Sequence, residues 1–203
     1  MYGGLVKMGK VIKVEKSRKM FKCSKCGQDI PKGSSYYRGE LNFAHDIIRC
    51  AKCKLKPWEV TTSDYVLAVG PIVNEWRENY GVDEETPEQI ASELESIRDD
   101  VQERLDNMPE GLQEGDIGQK LQERIDSLET AIDELYNIDI EAIKSEIVDV
   151  LLSEEDHIFL PKDGEEDYDT IFENNETLQE QMAEDFTDML SSEIESALEY
   201  IEV

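Results

Sequence analysis

Two Cys-x2-Cys pairs constrain the fold of this chain more than any other feature of its sequence. Cys23 and Cys26 form the first pair, Cys50 and Cys53 form the second, and 23 residues separate the pairs. Each pair can turn two thiolates toward one cation, and two pairs complete the tetrahedral four-sulfur shell that suits zinc. The spacing therefore predicts a Zn2+ site ligated by all four cysteines, against the alternatives of a redox dithiol or four free thiols.

A four-cysteine shell leaves no coordination position open for water, so the predicted site is structural rather than catalytic. Metal binding would contribute most of the folding free energy of so small a module. Iron also accepts four thiolates, and the sequence leaves the choice between zinc and iron open. Four lysines flank the sulfurs and would offset the net negative charge of a zinc tetrathiolate; they are Lys22, Lys25, Lys52 and Lys54.

The charge of the chain is divided sharply along its length. Of its 48 acidic and 21 basic residues, residues 1–60 hold 5 and 14, whereas residues 61–203 hold 43 and 7. The net charge of −27 therefore combines a basic head of +9 with an acidic remainder of −36. The total excludes a chain that is basic over its whole surface, and the division indicates different partners for the two parts.

The predicted fold is a small α+β zinc-binding module, of the treble-clef or zinc-ribbon kind, followed by an all-α elongated helical hairpin or bundle. Hydrophobic residues make up only 39% of the chain, which favours narrow apolar stripes on helices over a thick core. A basic N-terminal arm is expected over residues 1–20 and the zinc module over 21–60. A helix and an antiparallel helical hairpin should follow over 61–138, then an acidic helical region over 139–203 with a linker at 162–175.

Local signals predict the elements inside these segments. Residues 61–64 offer a helix cap, and Gly81 should end the helix that follows. Pro71 follows Gly70 within this helix, and because proline lacks a backbone donor and crowds the preceding turn, we expect a kink or a break there. Short strands are predicted at residues 11–14, 35–38 and 41–43, the last two forming a hairpin.

Two stripes of apolar residues repeat at steps of three and four, the period of one helical face. Thr86 before Pro87 predicts a capped helix start, with Gln89 completing a capping box. A loop of about ten residues links the stripes, so the two helices should pair antiparallel. The stripes are Ile90, Leu94, Ile97, Val101, Leu105 and Met108, then Leu121, Ile125, Leu128, Ile132, Leu135 and Ile138. Further helices are predicted over residues 140–152 and about 176–201.

Signatures of catalysis are sparse. The histidines His45 and His157 are far apart, and the chain has none of the motifs HExxH, GxSxG or GxxxxGK. A treble-clef nuclease would need a pair of histidines near the cysteines, where only His45 is present. Acidic residues alternate over 163–169 as in a calcium loop, but Tyr168 replaces the required glycine and Asn174 the required glutamate. A non-enzymatic protein is therefore predicted.

Membrane and secretion signals are also missing from the sequence. No stretch approaches the about 18 apolar residues that span a membrane, and the first residues lack the apolar core of a signal peptide. We expect an intracellular protein without membrane contact, in a compartment where thiols stay reduced.

Three stretches, in this order, resemble a group of small proteins encoded by bacteriophages and prophages. They are residues 22–33 with 36–38, residues 48–53 with 61–65, and residues 107–116. The resemblance implies a phage setting, hence the cytoplasm of a bacterial host, together with a zinc module and acidic helices. It implies no reaction mechanism, and residues 139–203 depart from it.

The leading functional hypothesis is a non-enzymatic protein that binds and modulates, and is expected to inhibit, a host protein with a basic surface. Carboxylates on rigid helices can imitate the phosphates of a nucleic acid, which carries about one charge per 1.7 Å of duplex. A plainer interpretation is that the acidic faces only keep the helices solvated.

The alternative hypothesis is a nucleic-acid-binding zinc module with an acidic tail for protein interaction or oligomerisation. Cations would meet phosphates while aromatic rings stack on bases, although those rings could equally form the core of the hairpin. A homodimer through the apolar helical faces is a further expectation. The candidate nucleic-acid-binding residues are Lys22, Lys25, Arg38, Arg49, Lys52 and Lys54, and the aromatic ones are Tyr36, Tyr37 and Phe43.

Overall fold

The structure is a computed structural model of the 203-residue chain, and it describes residues 9–40, 47–153 and 176–201. The described residues form two compact units. The first unit holds the residues up to Glu75 together with Met108–Gln119, and the second holds Trp76–Asn107 and the residues from Lys120 onward. The cysteine pairs therefore lie in the first unit, and most of the acidic helices lie in the second.

In the part of the first unit that the structure describes, five short strands build two small antiparallel sheets. The strands are β1 (Lys10–Val14), β2 (Phe21–Lys22), β3 (Asp29–Ile30), β4 (Tyr36–Glu40) and β5 (Ile47–Cys50). β4 is the central strand of a three-stranded sheet with the order β1-β4-β5, and β2 pairs with β3 in a separate two-stranded sheet. The register places Tyr36 opposite Cys50 and Val14 opposite Tyr36, so the sheet leads directly to the second cysteine pair.

The predicted hairpin differs from the observed one. β4 pairs with β5 rather than with residues 41–43, which lie outside the described residues. Ile47–Cys50 pairs with β4 over Tyr36–Gly39, and its last residue is the first cysteine of the second pair. The predicted strand at residues 11–14 is confirmed as β1, and its pairing with β4 makes it part of the module's sheet rather than of a separate basic arm.

Val60 is the centre of the first unit's apolar core and has no exposed surface. Leu55 and Trp58 are buried beside it, the latter in a short 3-10 helix over Pro57–Glu59. A Cβ on Gly39 would lie 2.8 Å from a Val60 methyl and 2.9 Å from a Leu55 methyl, so β4 can approach this core only through a glycine. A smaller cluster holds Cys23, Ile30 and Tyr36.

Helix α1 spans Asp64–Tyr80, and Gly81 follows it with φ of 79°, as the sequence predicted. The expected kink at Gly70–Pro71 is wrong, because the helix continues through the proline. The non-helical residue is Glu75, with φ of −133° and ψ of 18°. The Asn74 side chain donates to the Gly70 carbonyl at 2.9 Å, and the Glu75 carboxylate pairs with Lys56. These contacts place the break one turn later, at the boundary between the two units.

Five further helices lie within the described residues. They are α2 (Thr86–Asp106), α3 (Glu110–Gln113), α4 (Asp116–Tyr136), α5 (Ile140–Ser153) and α6 (Glu176–Leu198). α5 packs against α6, and both bury apolar residues that include Ile143, Ile147, Leu190 and Ile194. The small sheet region with clustered cysteines and the helical body thus agree with the predicted α+β module followed by helices.

Contacts between α2 and α4 run in opposite directions along the two helices. The Tyr136 hydroxyl, at the end of α4, is hydrogen-bonded to Glu95 and lies near Glu88 at the start of α2. The Glu129 carboxylate, earlier in α4, interacts electrostatically with the Arg98 guanidinium, later in α2. The pair is therefore antiparallel, and both apolar stripes contribute buried residues that include Ile90, Leu94, Ile125, Leu128 and Leu135.

The start of α2 differs from the predicted capping box. Thr86 is already helical and buried, and the preceding Glu85 makes no side-chain cap. The Thr86 hydroxyl instead accepts the Asp83 N–H at 2.9 Å and donates to the Asp83 carboxylate at 3.0 Å. The threonine therefore stabilises the turn before the helix and not the first free amides of the helix.

No helix within the described ranges is long and apolar enough to cross a membrane. The predicted linker at residues 162–175, the calcium-loop alternative within it, and both histidines lie outside the described residues.

Candidate metal centre

Each cysteine pair lies in a tight turn closed by a backbone hydrogen bond. In the first turn, the Gly27 N–H donates to the Cys23 carbonyl at 2.9 Å. In the second, the Cys53 N–H donates to the Cys50 carbonyl at 3.1 Å. The residue after each pair has a left-handed backbone, since φ is 71° at Gly27 and 30° at Lys54. This conformation turns the chain so that both sulfurs of a pair face the same side.

Strand β5 holds the two turns together. The Ser24 N–H donates to the Ile48 carbonyl at 2.8 Å, and the Ser24 hydroxyl donates to the same oxygen at 2.7 Å. The Cys50 N–H donates to the Sγ of Cys23 at 3.3 Å. The sheet thus brings together two pairs that are separated by 23 residues in the sequence.

The four sulfur atoms converge on one point. All four Sγ atoms lie within 4.8 Å of one another, and those of Cys26 and Cys50 are 3.9 Å apart. A tetrahedral centre with Zn–S bonds of about 2.3 Å requires sulfurs about 3.8 Å apart. The donor set and its spacing therefore fit a metal ion, and the predicted clustering of the four cysteines is confirmed.

Backbone donors support a negative charge at this centre. Burial opposes ionisation of Cys23, but the amides of Cys26, Cys50 and Lys25 and the thiol of Cys26 outweigh it, lowering the pKa of Cys23 to about 6. The Cys53 amide is the main cause of the lowered pKa of Cys50. Hydrogen bonds to the sulfurs of Cys26 and Cys50, with burial, raise the pKa of Cys53 to about 12. Metal ligation requires thiolates, so a bound cation would favour the ionised form of all four cysteines.

The four ligands differ in their access to solvent. Cys23 is 2% exposed and packs with Ile30 and Tyr36, whereas Cys50 and Cys53 are half-buried and Cys26 is exposed. The centre is therefore anchored in the core at Cys23 and open toward solvent at Cys26.

The six predicted nucleic-acid-binding residues do not share one environment. Lys22, Lys25, Lys52 and Lys54 are exposed around the cysteine turns. The Arg49 guanidinium is bound internally, since it donates to the Ser24 hydroxyl at 2.7 Å and pairs with Glu59 at 3.2 Å. Arg38, on strand β4, pairs with Glu40 at 3.5 Å.

The aromatic residues divide in a similar way. Tyr36 is 8% exposed, and its ring centroid lies 5.0 Å from that of Phe21 in the small core cluster. Tyr37 is half-exposed, and Phe43 lies outside the described residues. For Tyr36, the structure supports the alternative that the ring is part of the core.

Two features of the centre were missed by the sequence reasoning. The role of Ser24 in attaching the first turn to β5 depends on tertiary pairing and has no sequence signal. The left-handed Lys54 does have one, because it occupies the position after the second Cys-x2-Cys pair that Gly27 occupies after the first.

Comparisons with known proteins add no relative to this description, since no family model, no curated protein and no solved structure matches the chain.

Proposed function

We propose that the chain is a non-enzymatic, zinc-stabilised binding protein that engages a basic surface of a host protein through its acidic helices, in a bacteriophage setting. The convergence of four Sγ atoms within 4.8 Å carries the zinc part of this proposal. Four thiolates favour zinc or iron over the hard cations that prefer oxygen. The 3.9 Å spacing between Cys26 and Cys50 agrees with a tetrahedral zinc centre, for which about 3.8 Å is expected.

A structural rather than catalytic role for the metal follows from the ligand set. Four protein thiolates fill a tetrahedral shell, so no position remains for a water or a substrate. The metal would instead connect the turn after β2 with the end of β5, which gives a small unit a stability that its limited core does not supply.

The acidic partner surface is best supported on the pair α2 and α4. These two 21-residue helices carry thirteen carboxylates and four cations, a net charge of −9. Each helix is about 31 Å long at about 1.5 Å per residue, so the pair presents about one net charge per 3.5 Å. That density equals the about 3.4 Å per charge of a single nucleic-acid strand and is half that of a duplex. A protein groove that binds a phosphate backbone would therefore encounter a similar density of negative charge on this helix pair.

The zinc part is tested by metal analysis of the purified chain. One zinc per chain, released when the thiols are modified, is expected. A red, iron-type absorption spectrum or a chain without bound metal would contradict it.

The partner surface is tested by capture of bacterial host proteins at low and high salt. A variant with Asp100→Asn, Glu103→Gln, Glu123→Gln and Asp133→Asn removes four exposed carboxylates from α2 and α4. Its matched control removes four exposed carboxylates from α6 through Glu180→Gln, Glu184→Gln, Asp188→Asn and Glu193→Gln. Capture should fail at high salt and weaken in the first variant more than in the control. Capture of a host protein that neither high salt nor the first variant weakens would contradict the proposal of an electrostatic partner.

A further inference from the structure

Ion pairs engage four described cations of the first unit, whereas the exposed Lys10, Lys16, Arg18, Lys19 and Lys32 and the lysines beside the cysteines are not in these pairs. Every glutamate among its described residues up to Glu75 contacts a cation. The pairs are Lys13–Glu15 at 2.9 Å, Arg38–Glu40 at 3.5 Å, Arg49–Glu59 at 3.2 Å and Lys56–Glu75. These four cations are locally neutralised, so the positive charge of the unit must be presented elsewhere.

Four other cations surround the metal centre, and we name them the knuckle lysines: Lys22, Lys25, Lys52 and Lys54. All four are exposed, and within the described part of the chain none has an acidic partner. Each is adjacent in sequence to a cysteine, and the four Sγ atoms lie within 4.8 Å of one another. The folded turns therefore gather these lysines around one point of the surface.

Lys54 has a strained backbone conformation. Its φ of 30° is in the left-handed region, and within the described residues it is the one non-glycine residue with a positive φ. The equivalent position after the first cysteine pair is Gly27, with φ of 71°. Glycine would adopt this conformation without strain, and strained residues occur preferentially at functional sites. The position therefore points to a function for the lysine side chain.

Neutralisation of the metal centre does not require all of this charge. Four thiolates around Zn2+ leave a net double negative charge, and the four lysines exceed it. The excess positive charge faces solvent on a rigid surface, which fits an anionic polymer.

We propose that the knuckle lysines bind the phosphate backbone of a nucleic acid without reading its bases. Phosphate contacts supply affinity and orientation but no sequence information. Tyr36 is in the core and is not available to stack on a base, and Arg49 is bound to Ser24 and Glu59. The surface is therefore narrower than the six residues predicted from the sequence.

This inference rests on the metal-organised turns of the proposed function but not on its acidic helices. Binding of the full-length, zinc-loaded chain to a labelled DNA duplex of mixed sequence is measured between about 50 and 200 mM salt, where charges are screened beyond about 10 Å. Four phosphate contacts predict a slope of log affinity against log salt of about −3.6, a loss of about 150-fold over this range.

Lys54→Gly removes one charge while it relieves the strained backbone, so the variant should fold. It is expected to change the slope to about −2.7. The combined variant Lys25→Gln, Lys52→Gln and Lys54→Gly should leave a slope of about −0.9. Lys13→Gln is the matched control, because it removes a paired lysine of the same unit, and its slope should equal that of the wild type. Bound zinc is measured in every variant.

Absence of DNA binding at about 50 mM salt, or an unchanged slope in the combined variant, overturns the inference. Self-association of the chain at low salt, without DNA binding and lost in the combined variant, overturns it too and assigns the lysines to an acidic helix of a second copy. Zinc-loaded protein that does not bind DNA leaves the zinc proposal intact. DNA binding with the expected slopes by a chain without zinc contradicts the zinc proposal and the metal dependence of the turns, while it supports the lysine surface.

Discussion

The backbone N–H of Cys50 donates a hydrogen bond to the Sγ of Cys23 across the two cysteine turns, at 3.3 Å. This contact joins the first ligand of the second pair to the most buried ligand of the first pair, whose side chain is 2% exposed. An N–H donor stabilises a thiolate in a buried position, where a charge is otherwise costly. The protein thus orients part of the ligand shell through its own backbone.

Removal of the metal should unfold the first unit and leave the helical pair of the second. Structural zinc contributes about 10–16 kcal/mol of apparent binding free energy in small zinc domains, which exceeds what so small a core can replace. With a chelator, the amide NMR signals of β1 to β5 should collapse, while those of α2 and α4 persist. An unchanged spectrum of the strands after complete metal removal would contradict a structural role.

The four ligands should respond differently to serine substitution. Cys23→Ser places a poor ligand in a buried position, whereas Cys26 is exposed and water can replace its sulfur. Both variants should bind zinc more weakly, but only Cys23→Ser should leave the first unit unfolded at saturating zinc. Zinc titration followed by amide NMR measures both effects. Equal behaviour of the two variants would show that burial does not distinguish the ligands.

Gly70→Ala should destabilise the first unit by about 1–3 kcal/mol, the usual cost of overpacking a core. A Cβ at this position would lie 2.6 Å from Cγ of the Trp58 indole, which is itself buried. Gly111→Ala is the matched control, because it is also helical and its Cβ would meet nothing within 4 Å. Urea unfolding followed by tryptophan fluorescence compares the two. A control that loses as much stability as Gly70→Ala would refute the steric explanation.

The Arg49–Glu59 pair should contribute more than an exposed pair of the same type. Its side chains are 14% and 21% exposed, whereas those of Arg77 and Glu195 are 51% and 56% exposed. Double-mutant cycles with glutamine should give a coupling energy of about 1–3 kcal/mol for the first pair and below about 1 kcal/mol for the second. Denaturant unfolding supplies all four stabilities of each cycle. A smaller coupling for Arg49–Glu59 would contradict an anchoring role for Arg49.

Alkaline pH should weaken the second unit through Tyr80. Burial, followed by its hydrogen bond with Glu93, raises the pKa of Tyr80 above its usual range. Because the folded state favours the neutral phenol, this stabilisation is complete below about pH 10, the pKa of an unfolded tyrosine, and is lost as the pH rises further. Tyr80→Phe should therefore lose less stability than the wild type between about pH 9 and 11 in urea titrations. Parallel losses in the two proteins would assign the effect to other groups.

Residue spacing alone identified much of the molecule. The four cysteines were predicted as one cluster because two short-range pairs can share a cation, and their sulfurs converge. The helical stripes were predicted from their period, and α2 and α4 form with buried residues from both. The helical stripes and each cysteine pair depend on neighbours three or four residues apart, where local geometry dominates, and a shared cation explains why the two pairs were expected to meet.

Features that depend on specific side-chain or tertiary contacts were predicted less well. The break in α1 lies at Glu75 rather than Pro71, since Asn74 binds the Gly70 carbonyl and Lys56 holds the Glu75 carboxylate. The partner of β4 is Ile47–Cys50, and Thr86 binds back to Asp83 instead of capping its helix. In each case a specific contact, either a side-chain hydrogen bond within one turn or a tertiary contact, outweighed a propensity.

The charge of the first unit shows the same division between local and tertiary causes. By itself the sequence determined that residues 1–60 carry a net charge of +9 and that four of their lysines flank cysteines. Only the tertiary structure decided which cations remain available, because it pairs Lys13, Arg38, Arg49 and Lys56 with glutamates and leaves the knuckle lysines exposed. Composition sets the total charge, but ion pairing depends on distances of a few ångströms that only folding establishes.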